Sequence, residues 1–145
     1  VLEISLVRLD VDLPAPSYAR LGDAGCDLVA RAGTVLAPGG GRATIATGIA
    51  LGIPEGYAGL VLARSGLAAR HGVTCLNAPG LIDPGYRGEV AVILVNTDPT
   101  RPYEVHRGDR IAQLVICRVE KARFVAVDHL ETSERGAGGL GHSGR

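Results

Sequence analysis

Gly80-Leu81-Ile82-Asp83-Pro84-Gly85-Tyr86-Arg87-Gly88-Glu89 runs directly into Val90-Ala91-Val92-Ile93-Leu94-Val95. An apolar entry strand, a Pro-Gly turn and a second apolar run read as a hairpin. Residues 90–95 are apolar at every position, which predicts a strand buried on both faces. The hairpin carries one carboxylate, Asp83, just before the turn and one aromatic ring, Tyr86, just after it. It can hold a small planar ligand against its backbone and aim the acid and the ring at it. A single acid in a turn is ordinarily a solvated turn former, so its meaning depends on the rest of the chain.

Composition points the same way. With 145 residues, one domain is expected, long enough to bury a core. Hydrophobic residues make up 46% but aromatics only 3%, so the core must be built from Val, Leu, Ile and Ala. Twenty-one glycines and eight prolines favour many short strands joined by turns. The remaining candidate strands are 2–7, 26–31, 42–53, 58–63, 73–76, 111–119 and 123–127. Turn formers separate them, among them Pro38-Gly39-Gly40-Gly41, Pro54-Glu55-Gly56 and Arg107-Gly108-Asp109. Strands this short at this spacing give an all-β barrel or two-sheet jelly roll. One short helix is expected from Ser65 to Arg70, closed by Gly72. Residues 135–145 hold five glycines and one bulky apolar side chain, Leu140, too little to fold alone. The division is therefore a β domain over 1–134 and a flexible Gly-rich arm over 135–145.

A formal net charge of zero with no polybasic run argues against a nucleic-acid polymer or a membrane surface as partner. Cys26, Cys75 and Cys117 form no ligand set and read as reduced, buried residues. No apolar run has the length of a membrane span and no signal peptide is visible, which gives a cytoplasmic expectation. Val1 in place of a methionine suggests that a few residues are missing or processed.

Four further segments carry chemistry. Arg64-Ser65-Gly66-Leu67-Ala68 opens the helix, where free backbone N–H groups attract anions and the glycine permits close approach. Taken alone, Ser65 reads as an ordinary N-cap. In Gly108-Asp109-Arg110-Ile111-Ala112-Gln113-Leu114, Gln113 is a lone amide among apolar residues and needs partners. Ala24-Gly25-Cys26-Asp27-Leu28 places one acid at a strand start. The arm, Arg135 to Gly144, offers backbone donors together with Arg135 and Ser143.

In order and together, these five segments resemble the trimeric dUTPase family, bacterial type, over roughly residues 17–144. The resemblance implies a jelly-roll or distorted-barrel subunit, a homotrimer with active sites at subunit interfaces, and hydrolysis of dUTP to dUMP and pyrophosphate with Mg2+. Carried over, it makes Asp83 the base that activates water. Asn77 and the backbone of Gly80, Leu81 and Ile82 would read the uracil edge, and Tyr86 would lie against the deoxyribose. Arg64, Ser65, Gly66 and Gln113 would hold phosphates, and Asp27 would bind Mg2+ through water. Arg135, Leu140, Gly141, His142 and Ser143 would close over the nucleotide from a neighbouring subunit. Such an enzyme lowers dUTP, keeping uracil out of DNA, and supplies dUMP for thymidylate synthesis.

Leu140 stands where the family usually has an aromatic ring, and His142 where it usually has serine. Two alternatives share the scaffold. A dCTP deaminase would usually carry Arg-Ser-Ser at 64–66 and would release ammonia from dCTP. A non-catalytic dUTP-binding module would lack Asp83 or the arm, and both are present.

Overall fold

Turn residues cut the chain into short strands, and a computed structural model describes residues 1–139 of it. In chain order the elements are β1 (Ser5–Arg8), β2 (Cys26–Val29), β3 (Thr34–Leu36), β4 (Gly41–Gly52), β5 (Tyr57–Leu62), α1 (Ser65–His71), β6 (Val73–Cys75), β7 (Gly80–Ile82), β8 (Glu89–Asn96), β9 (Tyr103–Val105) and β10 (Arg110–Arg118). They form one sheet in the order β1-β4-β8-β6, a second in the order β2-β10-β5-β7, and a β3-β9 ribbon. All pairings are antiparallel.

The jelly-roll expectation holds and the barrel alternative does not. Neither sheet closes on itself, which leaves β1, β6, β2 and β7 as edges. One apolar cluster joins the two sheets, with Leu28, Ile111 and Leu114 from one and Ile45, Val90, Val92 and Leu94 from the other. Each fully buried side chain of this size contributes about 1.5–3 kcal/mol. Tyrosines only border the cluster, through Tyr57 and Tyr103. Asn96, fully buried at the end of β8, satisfies three neighbours: its Nδ2 donates to the carbonyls of Leu36 and Arg101, and its Oδ1 accepts from the Asp98 N–H. Cys26 and Cys75 are buried free thiols, and Cys117 is half-buried.

Four expectations are corrected. The hairpin at 80–95 is one only in its tight turn: its two arms do not pair with each other, since β7 lies beside β5 in one sheet and β8 between β4 and β6 in the other. β8 is not covered on both faces, because Ala91 is exposed and Ile93 half-buried while Val90, Val92 and Leu94 face the core. Residues 123–127 form no strand, and Phe124 is 95% exposed. The apolar run there, Phe124 to Val127, has no sheet within the described residues to join. The helix N-cap is Arg64, in an extended conformation with no side-chain cap hydrogen bond, so Ser65 is the first helical residue. Gly72 closes the helix as expected, donating its N–H to the Ala68 carbonyl. Among the described residues, no helix is long and apolar enough to cross a membrane.

Candidate active site

Strand register builds the first half of the site. Gln113 of β10 lies opposite Asp27 of β2 on one side and Leu62 of β5 on the other. Two residues past Leu62, the chain reaches Arg64 and turns into α1. The Arg64 Nε returns to Asp27 Oδ1 at 3.3 Å, and its guanidinium donates to the Arg110 carbonyl at 3.1 Å. Arg110 reaches Asp27 Oδ2 at 3.4 Å. The lone amide Gln113 donates its Nε2 to the Ala63 carbonyl at 3.3 Å, tying β10 to the approach to the helix.

Arg110 faces this groove because of a bulge. Strict alternation would put residues 110 and 113 on opposite faces, but the β10–β2 register shifts between Arg110 and Ala112. The extra residue reverses the parity. Arg20 and Arg70 also line the groove, whose volume is about 550 Å3. Gly66 leaves space for Arg70, since a Cβ there would stand 2.8 Å from the guanidinium. Four arginines face two aspartates, Asp23 and Asp27. The Asp27 pairs are partly solvated, and such ion pairs are worth about 0–1 kcal/mol. A polyphosphate that draws Arg64 and Arg110 to itself therefore gives up little.

The turn that crosses from β7 in one sheet to β8 in the other builds the second half. Asp83 leaves β7 exposed at the turn, and its carbonyl accepts the Tyr86 N–H at 3.1 Å. The Tyr86 hydroxyl donates to the Glu89 carbonyl at 2.9 Å. This folds the ring over Gly88, where a Cβ would lie 2.5 Å from the hydroxyl oxygen. Asn77, Leu81, Ile82, Asp83 and Tyr86 line a recess of about 240 Å3 completed by Thr44, Val90, Ala91 and Ile93. This is smaller than the roughly 300–1,000 Å3 of pockets that enclose whole ligands, so it suits a ring rather than a nucleotide. Gly80 lines neither cavity, but β7 is an edge strand, so one row of its backbone donors and acceptors faces outward.

The halves stand apart on one chain and share no lining residue. Ile82 pairs with Gly59, and Ser65 lies six residues beyond Gly59 along β5 and its extension. At about 3.3 Å per residue the turn and the helix start are roughly 20 Å apart. Arg135 lines neither half, and its Nε donates to the Gly138 carbonyl within a local turn. Leu140, Gly141, His142 and Ser143 lie outside the described residues.

The described residues contain no cluster of three or more metal-ligating side chains. Asp27 is one carboxylate among arginines. It fits an ion that arrives with phosphate oxygens and keeps its own waters, which is how magnesium is usually held.

A jelly roll with an arginine-lined groove on one sheet and an acid-bearing hairpin beside an apolar recess has the makings of a nucleotide hydrolase. Comparison with known proteins identifies the kind. The sequence profile of the dUTPase family matches residues 11–144. A deoxyuridine 5'-triphosphate nucleotidohydrolase of Thermobifida fusca is 60% identical over 143 residues, covering 99% of this chain and 79% of its own. One from Nocardia farcinica is 52% identical, covering 97% and 85%. The solved dUTPase of Staphylococcus bacteriophage 80alpha with dUPNHPP is 28% identical, with a TM-score of 0.92 and full coverage of both chains. The chain belongs to the dUTPase family, and dUTP hydrolysis is its activity.

One consequence can be tested at Gly88. Alanine there must displace the Tyr86 ring, whereas a Cβ at Gly85 meets nothing within 4 Å. Gly88→Ala is expected to lower kcat/KM for dUTP by about tenfold with little change in Tm, since small misplacements at a site are costly. Gly85→Ala should stay within about twofold. Steady-state kinetics and thermal melts on both variants check this.

Proposed function

We propose that the chain works as a homotrimer whose active sites each join the hairpin of one subunit to the arginine groove of the next. The observation that carries this reading is the separation of roughly 20 Å between the halves on one chain. A general base acts within about 2.6–3.2 Å, or through one water. One α-phosphate cannot meet both Asp83 and the groove of the same chain. The outward apolar face of Ala91 and Ile93 on β8 supports subunit contact beside the recess.

In the assembled site Asp83 takes a proton from water as the water oxygen attacks the α-phosphorus. The bond from that phosphorus to the bridging oxygen of the β-phosphate breaks, releasing dUMP and pyrophosphate. Arg64, Ser65, Gly66 and Gln113 hold the phosphates and offset charge on the leaving group. Such positioning and neutralisation are most of what phosphoryl transfer requires. Asp27, through water, would hold Mg2+ together with the phosphates, and the ion would supply further charge neutralisation there. The outward backbone of Gly80, Leu81 and Ile82, with Asn77, reads the uracil edge. A thymine methyl would collide with that slot, and cytosine would present a donor where uracil presents an acceptor. Tyr86 lies against the sugar, leaving little room for a 2′-hydroxyl. Residues 1–134 act as the β domain, and residues 135–145 as an arm that closes with Arg135, Leu140, Gly141, His142 and Ser143. The product then feeds thymidylate synthesis while dUTP falls, and the free thiols suit a cytoplasmic setting.

Pyrophosphate release measured side by side on dUTP, dTTP, dCTP and UTP tests this. Strong preference for dUTP is expected, and comparable rates on UTP or dTTP would contradict the slot. At the arm, Leu140→Phe is expected to tighten a non-hydrolysable dUTP analogue. An aromatic stack on a base is worth roughly 1–3 kcal/mol against alanine, and leucine already recovers part of that. The gain should be about 0.5–1 kcal/mol, or two- to fivefold in Kd. Titration calorimetry checks it, and the gain should vanish in a chain ending at Ser133.

A further inference from the structure

Glu89 closes the hairpin, and its side chain holds something other than solvent. Its Oε1 accepts the Gly48 N–H at 2.8 Å and the Arg31 guanidinium at 3.1 Å, while its Oε2 accepts the same Arg31 nitrogen at 3.2 Å. Gly48 sits in an irregular stretch of β4, where the register with β8 shifts between Ala46 and Ala50, and its φ is +75°. That stretch is fixed from two further directions. Thr47 Oγ1 donates to the Val90 carbonyl at 2.6 Å, and the Gly48 carbonyl accepts the Leu9 N–H at 2.8 Å. It is therefore a firm anchor, and Glu89 is the side chain that ties the hairpin exit to it.

The other end of Glu89 reaches the recess. Its main-chain carbonyl is the acceptor for the Tyr86 hydroxyl, and the tyrosine ring lies over Gly88. Any shift of Glu89 thus moves the acceptor that orients the ring.

We propose that Glu89, charged and clamped by Arg31 on the β4 bulge, is a positioning residue that sets the Tyr86 ring and with it the preference for dUTP over UTP. The proposal rests on the reading that Tyr86 lies against the sugar. Glu89 touches no substrate in this scheme. It acts through the tyrosine hydroxyl alone, so removing the clamp should loosen sugar selection more than it slows turnover.

Asp10 provides the control. It belongs to the same ion network, taking two contacts from Arg107 at 2.7 and 2.9 Å and one from Arg31 at 3.4 Å, and its backbone N–H donates to the Gly48 carbonyl at 3.2 Å, while among the described residues its carboxylate bonds only these arginines and the Asp12 N–H. Asp10→Asn weakens the network without unclamping Glu89.

The experiment measures kcat and KM for dUTP and UTP, with thermal melts, in Glu89→Gln, Glu89→Ala, Arg31→Ala, Tyr86→Phe, Asp10→Asn and Tyr86→Ala. Glu89→Gln keeps the shape and a neutral acceptor for Gly48, so it folds even if Glu89→Ala does not. The ratio of kcat/KM for dUTP to that for UTP is expected to fall about tenfold in Arg31→Ala and Tyr86→Phe. A smaller fall is expected in Glu89→Gln and none in Asp10→Asn. Tyr86→Phe combined with Glu89→Gln should fall no further than Tyr86→Phe alone, because both break one linkage. If the ratio is unchanged in Glu89→Gln and Arg31→Ala, or falls equally in Asp10→Asn, or the double variant is additive, the clamp is wrong. Should Tyr86→Ala itself leave the ratio unchanged, the placement of Tyr86 against the sugar fails and the clamp falls with it. A fall in Tyr86→Ala alone would overturn only the clamp.

Discussion

Asp83→Asn is expected to keep dUTP binding and lose turnover by about 10²-fold or more. The amide preserves the shape of the turn, since it is the Asp83 carbonyl, not its side chain, that accepts the Tyr86 N–H. Asparagine cannot take a proton from water, and a positioned base is worth about 10²–10⁴-fold. Because the change acts in the transition state, kcat should fall while binding of a non-hydrolysable analogue stays within about threefold. Near-normal kcat in a clean preparation would show that some other group activates the water. Comparable loss in analogue affinity would mean that Asp83 binds substrate rather than acting as base.

Removing residues 135–145 should be nearly as damaging, but for a different reason. No strand or helix lies beyond Arg118 in the described residues, and residues 119–137 are exposed, so loss of the described part of the deleted segment takes nothing from the core. Thermal stability and oligomeric state should match the full chain. If the arm closes as proposed, activity should fall by about 10²-fold, because water exclusion and orientation would be lost with Arg135 and Ser143. Analytical ultracentrifugation, a melt and pyrophosphate release distinguish the cases. Loss of assembly would make the arm structural. Full activity in the truncated chain would remove it from the site.

How far the sequence discloses this molecule depends on element length and on parity. β4, β8 and β10 are long enough for their apolar patterns and flanking turns to mark them, and the hairpin turn fixes Asp83 and Tyr86 directly. β3 and β9 have three residues each, too few to display an alternation. Residues 124–127 are a short apolar run and are not a strand, because such a run does not say what covers it. Residues 90–95 conceal the reverse. Their outward Ala91 and Ile93 are as apolar as the core positions, so the pattern alone could not reveal that this face is open on a single chain. Gln113 and Asp27 are legible as lone polar groups in apolar strands, whereas Arg110 is not. Only the bulge at 110–112 turns it toward the groove, and a one-residue insertion in the pairing leaves no mark in composition. Arg20 and Arg70 enter the groove from a loop and from α1, at positions no periodicity selects.

The proposed sharing of each active site between subunits is tested most directly by mixing two inactive chains. One carries Asp83→Asn, with an intact groove and no base. The other carries Arg64→Ala, with an intact hairpin and a crippled groove. Both keep the arm. If each site draws its halves from adjacent subunits of a ring, as proposed, one-to-one exchange should leave about one site in four with a sound groove beside a sound Asp83 turn. Activity should rise to about a quarter of the native rate once exchange is complete. If demonstrated exchange leaves the mixture no more active than its two components, hairpin and groove belong to the same chain and the shared site does not exist.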